Sequence, residues 1–220
     1  MKETKEKKTR ARSTKAKQRI FNEIIHKGRE LFLRYGIGGF TLRALATEVH
    51  MGQASLYTYF KSKRELWFAI VEDDFKDVEA QIQEHIENYI GKYMDLPVQI
   101  AQIYFDAINE DYRKFRLVFK TGPPKSSKKG PIEQHYEIKT IKILEDIFDK
   151  AAHNGEIQER ETIKLAYFTW SIIFGTAFST QTDSFGTIEK IPYFGTLDEY
   201  FYFVLRKLDL LMQSIQKITH

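Results

Sequence analysis

The chain has 220 residues, 42% of them hydrophobic, with no cysteine and a formal net charge of +4. That length admits one large domain or two modest ones, and the apolar content is enough for a real core, which excludes a disordered chain. The missing cysteines exclude disulfides, thiolate metal sites and cysteine nucleophiles together. No run approaches the ~18 apolar residues that a membrane-spanning helix needs, and a charged N-terminus with no apolar run behind it is not a secretory signal. These features point to a cytoplasmic protein.

The charge is unevenly placed. Residues 1–68 hold 16 Lys/Arg against 6 Asp/Glu, a net of +10, whereas 69–220 hold 18 against 24, a net of −6. A basic head on an acidic body predicts a polyanionic partner for the head; the alternative is a basic tail that only aids solubility.

Residues 1–15 are Lys, Arg, Thr, Glu and Ser with almost nothing apolar, which predicts a flexible basic arm. From Ile20 the apolar residues recur at helical spacing (Ile20, Ile24, Leu31, Tyr35, with Ile25 and Phe32 beside them) until Gly36, Gly38 and Gly39 end the helix. Thr41 is placed to N-cap a second helix whose buried face is Leu42, Leu45, Ala46 and Val49. After a break at 50–52 a short third helix runs from 53 to 60, and Ser62 is a second candidate N-cap, for a long helix from 63 to about 89. Further helices are expected from Pro97, at 111–120, at 132–152 ending on Asn154-Gly155, at 162–180 and at 197–218, with loops at 121–131 and 182–195. No alternating strand-like run stands out, so the fold class is all-α, with about nine helices.

The two short helices at 41–49 and 53–60, with three residues between them, match a helix-turn-helix. Leu45, Ala46 and Val49 must pack against Leu56 to set the crossing angle, the small Ala46 allowing close approach and Met51 plugging the gap. Gln53, Ala54, Ser55, Tyr57, Thr58 and Tyr59 are then left for the outer side of the third helix. Gln pairs bidentately with adenine, Ala and Ser meet a thymine methyl or a polar base edge, and tyrosine hydroxyls reach phosphate. Tyr57 and Tyr59 are also compatible with ordinary half-buried aromatics, and Phe60 is expected in the core.

On Gly36, on FTLRALA at 40–46 and above all on SLYTYFKSKREL at 55–66, residues 20–68 resemble the DNA-binding domain of the TetR (tetracycline-repressor-like) regulators. The resemblance implies a helix-turn-helix domain over 16–68 and a helical effector-binding and dimerisation domain over 69–220. It implies that Thr41 meets phosphate, that Arg43 meets phosphate or a nearby base, that Gln53, Ala54, Ser55 and Tyr57 lie at base edges, and that Tyr59 and Lys63 hold flanking phosphates. Two positions depart from the family pattern: His50 stands where glycine is usual, and Gly52 where a hydroxyl residue often caps the recognition helix.

In the second domain, Leu165, Phe168, Thr169, Ile172, Gly175, Thr176 and Ser179 form a face of the 162–180 helix that narrows at Gly175. Phe168, Ile172, Gly175 and Thr176, with Phe201, Val204 and Leu208 of the last helix, are the candidate dimer interface; the alternative is internal core. Tyr104, Phe105, Ile108, Tyr112, Phe115, Phe119 and Tyr136, facing Trp170 and Phe174, are the candidate lining of an effector pocket poor in charge, suited to a fatty-acyl or hydrophobic drug-like ligand, or else plain core. The loop lysines Lys125, Lys128 and Lys129 suit a phosphate-bearing ligand or a solvated loop.

The function expected is a ligand-responsive repressor that binds a near-palindromic operator as a homodimer and is released by a small apolar effector, with no membrane partner, no cofactor and no metal. No HExxH, GxSxG, Walker A or dinucleotide fingerprint is present, so no catalysis is expected. The competing reading is a helical protein–protein adaptor without sequence-specific DNA binding.

Overall fold

A 34-residue helix, α1 (Lys2–Tyr35), opens the chain. The computed structural model describes residues 2–125, 139–158, 161–181 and 195–217, excepting the side chains of 2–13, 112–114, 181 and 217. Residues 2–15, expected as a flexible basic arm, are helical backbone in continuation of α1. Lys, Arg, Glu and Ala are good helix formers, and no Gly or Pro interrupts the run, so local propensity lets the helix extend past the last apolar contact.

The chain then folds as α2 (Leu42–Glu48), α3 (Gln53–Tyr59), α4 (Lys63–Asn88), a 3-10 turn at Tyr93–Asp95, α5 (Leu96–Glu110), α6 (Tyr112–Lys120), α7 (Lys139–His153), α8 (Thr162–Gln181) and α9 (Leu197–Lys217). The fold is all-α: nine helices and no β-strand among the described residues. Local chemistry sets the ends. Gly36 (φ +67°) and Gly155 (φ +73°) take the left-handed conformation after α1 and α7, and Pro97 sits in the first turn of α5. Ser62 Oγ accepts the Glu65 N–H at 3.1 Å and the Glu65 carboxylate accepts the Lys61 N–H at 2.6 Å, a reciprocal cap that starts α4.

Two compact units emerge. Of the described residues, 2–74 and 121–125 form the N-terminal unit. Its core is Ile24, Ile25, Phe32, Leu45, Leu56, Phe60, Leu66 and Ile70, each at most 2% exposed. The expected boundary at 68/69 falls within α4, where Leu66 through Val71 are six consecutive buried residues, and the compact unit runs to Asp74. Residues 121–125 join it because Trp67 Nε1 donates to Thr121 Oγ1 at 3.0 Å and Arg64 Nη1 donates to the Pro124 carbonyl at 2.9 Å. Within this unit α1 approaches α4 closely at Gly28, where a Cβ would lie 3.1 Å from a Leu66 methyl.

The C-terminal unit holds the rest of α4 and α5 to α9. α8 packs along α7, and α9 against α5. Its core is strongly aromatic: Phe105 stacks on Phe201 (4.4 Å between centroids, 8° between planes), Tyr104 meets Trp170 edge-on at 5.3 Å, and Phe119 meets Phe174 at 5.3 Å. No described helix is long and apolar enough to cross a membrane.

Candidate nucleic-acid interface

Helices α2 and α3 are joined by a four-residue turn, 49–52, whose geometry follows from its backbone hydrogen bonds. The His50 N–H bonds the Thr47 carbonyl (3.1 Å) and the Met51 N–H bonds the Ala46 carbonyl (2.8 Å), with His50 at φ +51°. This is a left-handed helix end in which a residue with a Cβ occupies the position that favours glycine, at a cost of about 1 kcal/mol. Gly52 (φ −66°, ψ 141°) then begins α3 without a side-chain cap. Leu45 and Leu56, both fully buried, lock the two helices, with Ala46 at 2%.

That lock dictates what α3 shows to solvent. With Leu56 and Phe60 turned inward, Gln53, Ala54, Ser55, Tyr57 and Thr58 are exposed and Tyr59 is half-buried. Tyr57 is 37% exposed, with its ring on the surface beside the row that starts at Gln53. Phe60 is core, at 0%. Thr58 Oγ1 donates to the Ser55 carbonyl at 2.7 Å, and Lys61 Nζ donates to the Tyr57 carbonyl at 2.6 Å, closing the C-terminus of α3.

Thr41 and Arg43 are exposed at the start of α2. Thr41 Oγ1 accepts the Ala44 N–H at 3.1 Å, the N-cap expected. Lys63, read from resemblance as a phosphate contact, is placed against the protein's own backbone. Its ammonium donates to the carbonyl of Ile37 and, at 2.9 Å, to that of Phe40, and it stands 5.0 Å from the centre of the Phe40 ring. Burial pushes its pKa below the ordinary lysine value. Its protons point into the α1–α2 loop, a partner set that spacing alone does not reveal.

In the C-terminal unit the candidate pocket residues do come together, but as packed rings. Tyr104, Phe105, Ile108, Phe115 and Phe119 are all buried, and Trp170 and Phe174 are half-buried beside them. The Tyr104 hydroxyl shares a hydrogen bond with Thr140 Oγ1. Tyr112 starts α6 with its side chain undescribed, and Tyr136, Lys128 and Lys129 lie outside the described residues. A cleft of about 300 Å³ opens elsewhere, between α4, α5 and α6, lined by Asp77, Val78, Gln81, Ala107, Glu110, Asp111 and Phe115. Of the described residues of the expected lining only Phe115 reaches it, and carboxylates dominate its polar side.

The candidate dimer residues divide. Phe168 is 51% exposed and Gly175 is exposed on α8, with Ile172 partly so. Thr176 (6%), Phe201 (3%) and Leu208 (2%) are buried inside the chain's own core, and Val204 is half-buried, so those three cannot present an outer face. The physical reason is rotation about the helix axis. On α9 the inward side is taken by Phe201, Leu208 and Met212, which leaves Tyr202 (68%), Phe203 (44%) and Leu210 (49%) outside; on α8 the outer row is Tyr167 (56%), Phe168 and Phe178 (42%). Both helices carry apolar residues on two faces, and periodicity does not say which face turns inward.

Residues 24–70 match the family described as bacterial regulatory proteins, tetR family. An HTH-type transcriptional regulator of Staphylococcus aureus is 30% identical over 84 residues, covering 38% of this chain and 43% of the relative, so the match spans less than half the length of that protein. A solved regulator of Syntrophomonas wolfei assigned to the TetR family superposes with a TM-score of 0.69 at 14% identity, over 90% of this chain and 96% of its own. AibR, solved with isovaleryl coenzyme A and operator DNA, superposes with a TM-score of 0.56 at 14% identity, over 86% of this chain and 97% of its own. At such identities the two structures bear on the fold.

Proposed function

We propose that the chain is a DNA-binding transcriptional regulator of the TetR type, and that it acts in the cytoplasm as a repressor, a homodimer that covers a near-palindromic operator until a small, mainly apolar effector releases it; the match of residues 24–70 to the tetR family model supports the reading. The observation that carries this reading is the outward row Gln53, Ala54, Ser55 and Tyr57 on a short helix held against α2 by a fully buried Leu56. A helix so mounted offers its first residues to the major groove, which is wide enough to take it, while Thr41 and Arg43 stand at the start of the preceding helix.

Gln53→Ala tests the base-reading role. Against operator fragments selected from genomic DNA, the substitution is expected to weaken binding by about 1–3 kcal/mol and to relax the preference for one base pair. Equal losses on operator and on unrelated DNA would refute it, and a native chain that retards no fragment selectively favours the adaptor instead.

The homodimer is supported by the apolar surface of α8 and α9, two helices of one unit in contact with each other, on which Tyr167, Phe168, Phe178, Tyr202, Phe203 and Leu210 stay exposed. Exposed aromatics in that density mark an association surface. Sedimentation at micromolar concentration is expected to give twice the mass of one chain, and a monomer would overturn the dimer. A two-fold dimer presents two copies of α3, and two copies call for an operator with matching half-sites.

For the effector, the support is the ring cluster of Tyr104, Phe119, Trp170 and Phe174, whose apolar surfaces a flat or elongated ligand can replace one for another, together with the isovaleryl coenzyme A held by AibR. Release then follows if the ligand-bound arrangement differs from the one that suits DNA, since a ligand shifts an equilibrium only by its differential affinity for the two states.

A further inference from the structure

The loop between α1 and α2 reads Gly36-Ile37-Gly38-Gly39, and three glycines in four residues leave it with far more backbone freedom than its neighbours. Yet the loop must end at one place, because Phe40 is 6% exposed, edge-on to Phe32 at 4.8 Å, and Thr41 directly after it is the N-cap of α2. The group that reaches back to this loop is the ammonium of Lys63, the first residue of α4. It donates to the carbonyls of Ile37 and Phe40, at either end of the glycine pair, and covers the Phe40 ring at 5.0 Å. Hydrogen bonds from a cation are about twice as strong as neutral ones, and two of the three ammonium protons are committed here.

We propose that Lys63 is a positioning residue: it ties the glycine loop to the start of α4, and through Phe40 and Thr41 seats the first turn of α2, rather than gripping a DNA phosphate itself. This rests on the DNA-binding reading above, which supplies the reason why the seating of Thr41 and Arg43 matters. The lowered lysine pKa, caused by partial burial, is consistent with that placement. Lys61, by contrast, is exposed.

The test uses the full chain carrying Lys63→Met, which keeps the stem but not the donors. Two amides report on the seat: Ala44 N–H, held by Thr41 Oγ1, and Leu45 N–H, held by the Thr41 carbonyl. Leu56 N–H, held by the Gly52 carbonyl, is the internal control. Hydrogen exchange at Ala44 and Leu45 is expected to rise at least tenfold with Leu56 unchanged. Operator affinity is expected to fall about tenfold while the slope of log affinity against log salt stays constant, because no phosphate contact is lost. The penalty of Arg43→Ala should shrink in this background, and that of Gln53→Ala should persist. Unchanged exchange at Ala44 and Leu45 overturns the proposal. So does a slope lowered by about 0.9, the mark of one lost phosphate contact.

Lys63→Arg serves if Lys63→Met does not fold. Its charge remains, but a planar fork cannot serve both carbonyls in the same way, so a tie predicts faster exchange at constant slope and a phosphate contact predicts no change in either. Should the native chain select no operator, the DNA-binding reading fails on its own, and the exchange measurement still decides whether Lys63 holds the loop.

Discussion

Arg29→Ala is expected to destabilise the N-terminal unit by about 3 kcal/mol, near the lower end of what breaking a buried ion pair costs. Arg29 Nε donates to Asp74 Oδ1 at 2.8 Å and Nη2 donates to Asp73 Oδ2 at 2.8 Å, joining α1 to α4 across 44 and 45 residues of chain. The side chains are 20% exposed for Arg29, 31% for Asp73 and 1% for Asp74. A carboxylate as buried as Asp74 was desolvated on folding, and the guanidinium is what compensates that loss; removing the cation leaves the penalty in place. The partial exposure of Asp73 lets water recover some of it, which is why the lower end of the range applies. Arg29→Lys keeps the charge but not the fork that reaches two carboxylates, and should recover less than half of the loss. The chain has two tryptophans, Trp67 in this unit and Trp170 in the other, so urea unfolding followed by fluorescence in a Trp170→Phe background reads the right unit. A loss below about 1 kcal/mol would place this pair with ordinary surface ion pairs.

Gly39→Ala comes next in size. A Cβ on Gly39 would lie 2.1 Å from the Tyr35 carbonyl oxygen, 2.5 Å from Tyr35 Cβ and 2.8 Å from the Tyr35 carbonyl carbon. These are atoms of the last residue of α1, two of them backbone, and they cannot swing aside as the end of a flexible side chain can. Either the final turn of α1 unwinds or the loop moves outward, taking with it the carbonyls of Ile37 and Phe40 that Lys63 holds. We expect a loss of about 3 kcal/mol, at the top of the range for overpacking, together with weaker operator binding because Thr41 follows two residues later. Gly38, with no atom within 4 Å of its added Cβ, is the matched control and should tolerate alanine. If both variants melted alike, the close approach to Tyr35 would carry no weight.

Much of the candidate interface was legible beforehand. The ends of α2, α3 and α4 were readable because a cap is satisfied within three or four residues of itself: Thr41 with Ala44, Ser62 with Glu65, His50 with Thr47. The left-handed His50 stands where the family pattern has glycine, so it was the resemblance, not spacing, that marked the position. The outward row of α3 followed from Leu56, since a helix of seven residues with one buried leucine has a single inner side.

What the sequence by itself determined, then, is the all-α class, the helix order, the helix-turn-helix and the side chains it presents, because each rests on interactions between residues a few positions apart. Only the tertiary structure decided where the N-terminal unit ends, which faces of α8 and α9 turn inward and what Lys63 holds. Those depend on partners far away in the chain: Trp67 with Thr121, Phe105 with Phe201, Lys63 with Ile37 and Phe40. Phe201 and Phe203 are the same residue type two positions apart, and local chemistry cannot rank them. One is buried and the other exposed because Phe105 supplies a ring for only one of them to stack upon.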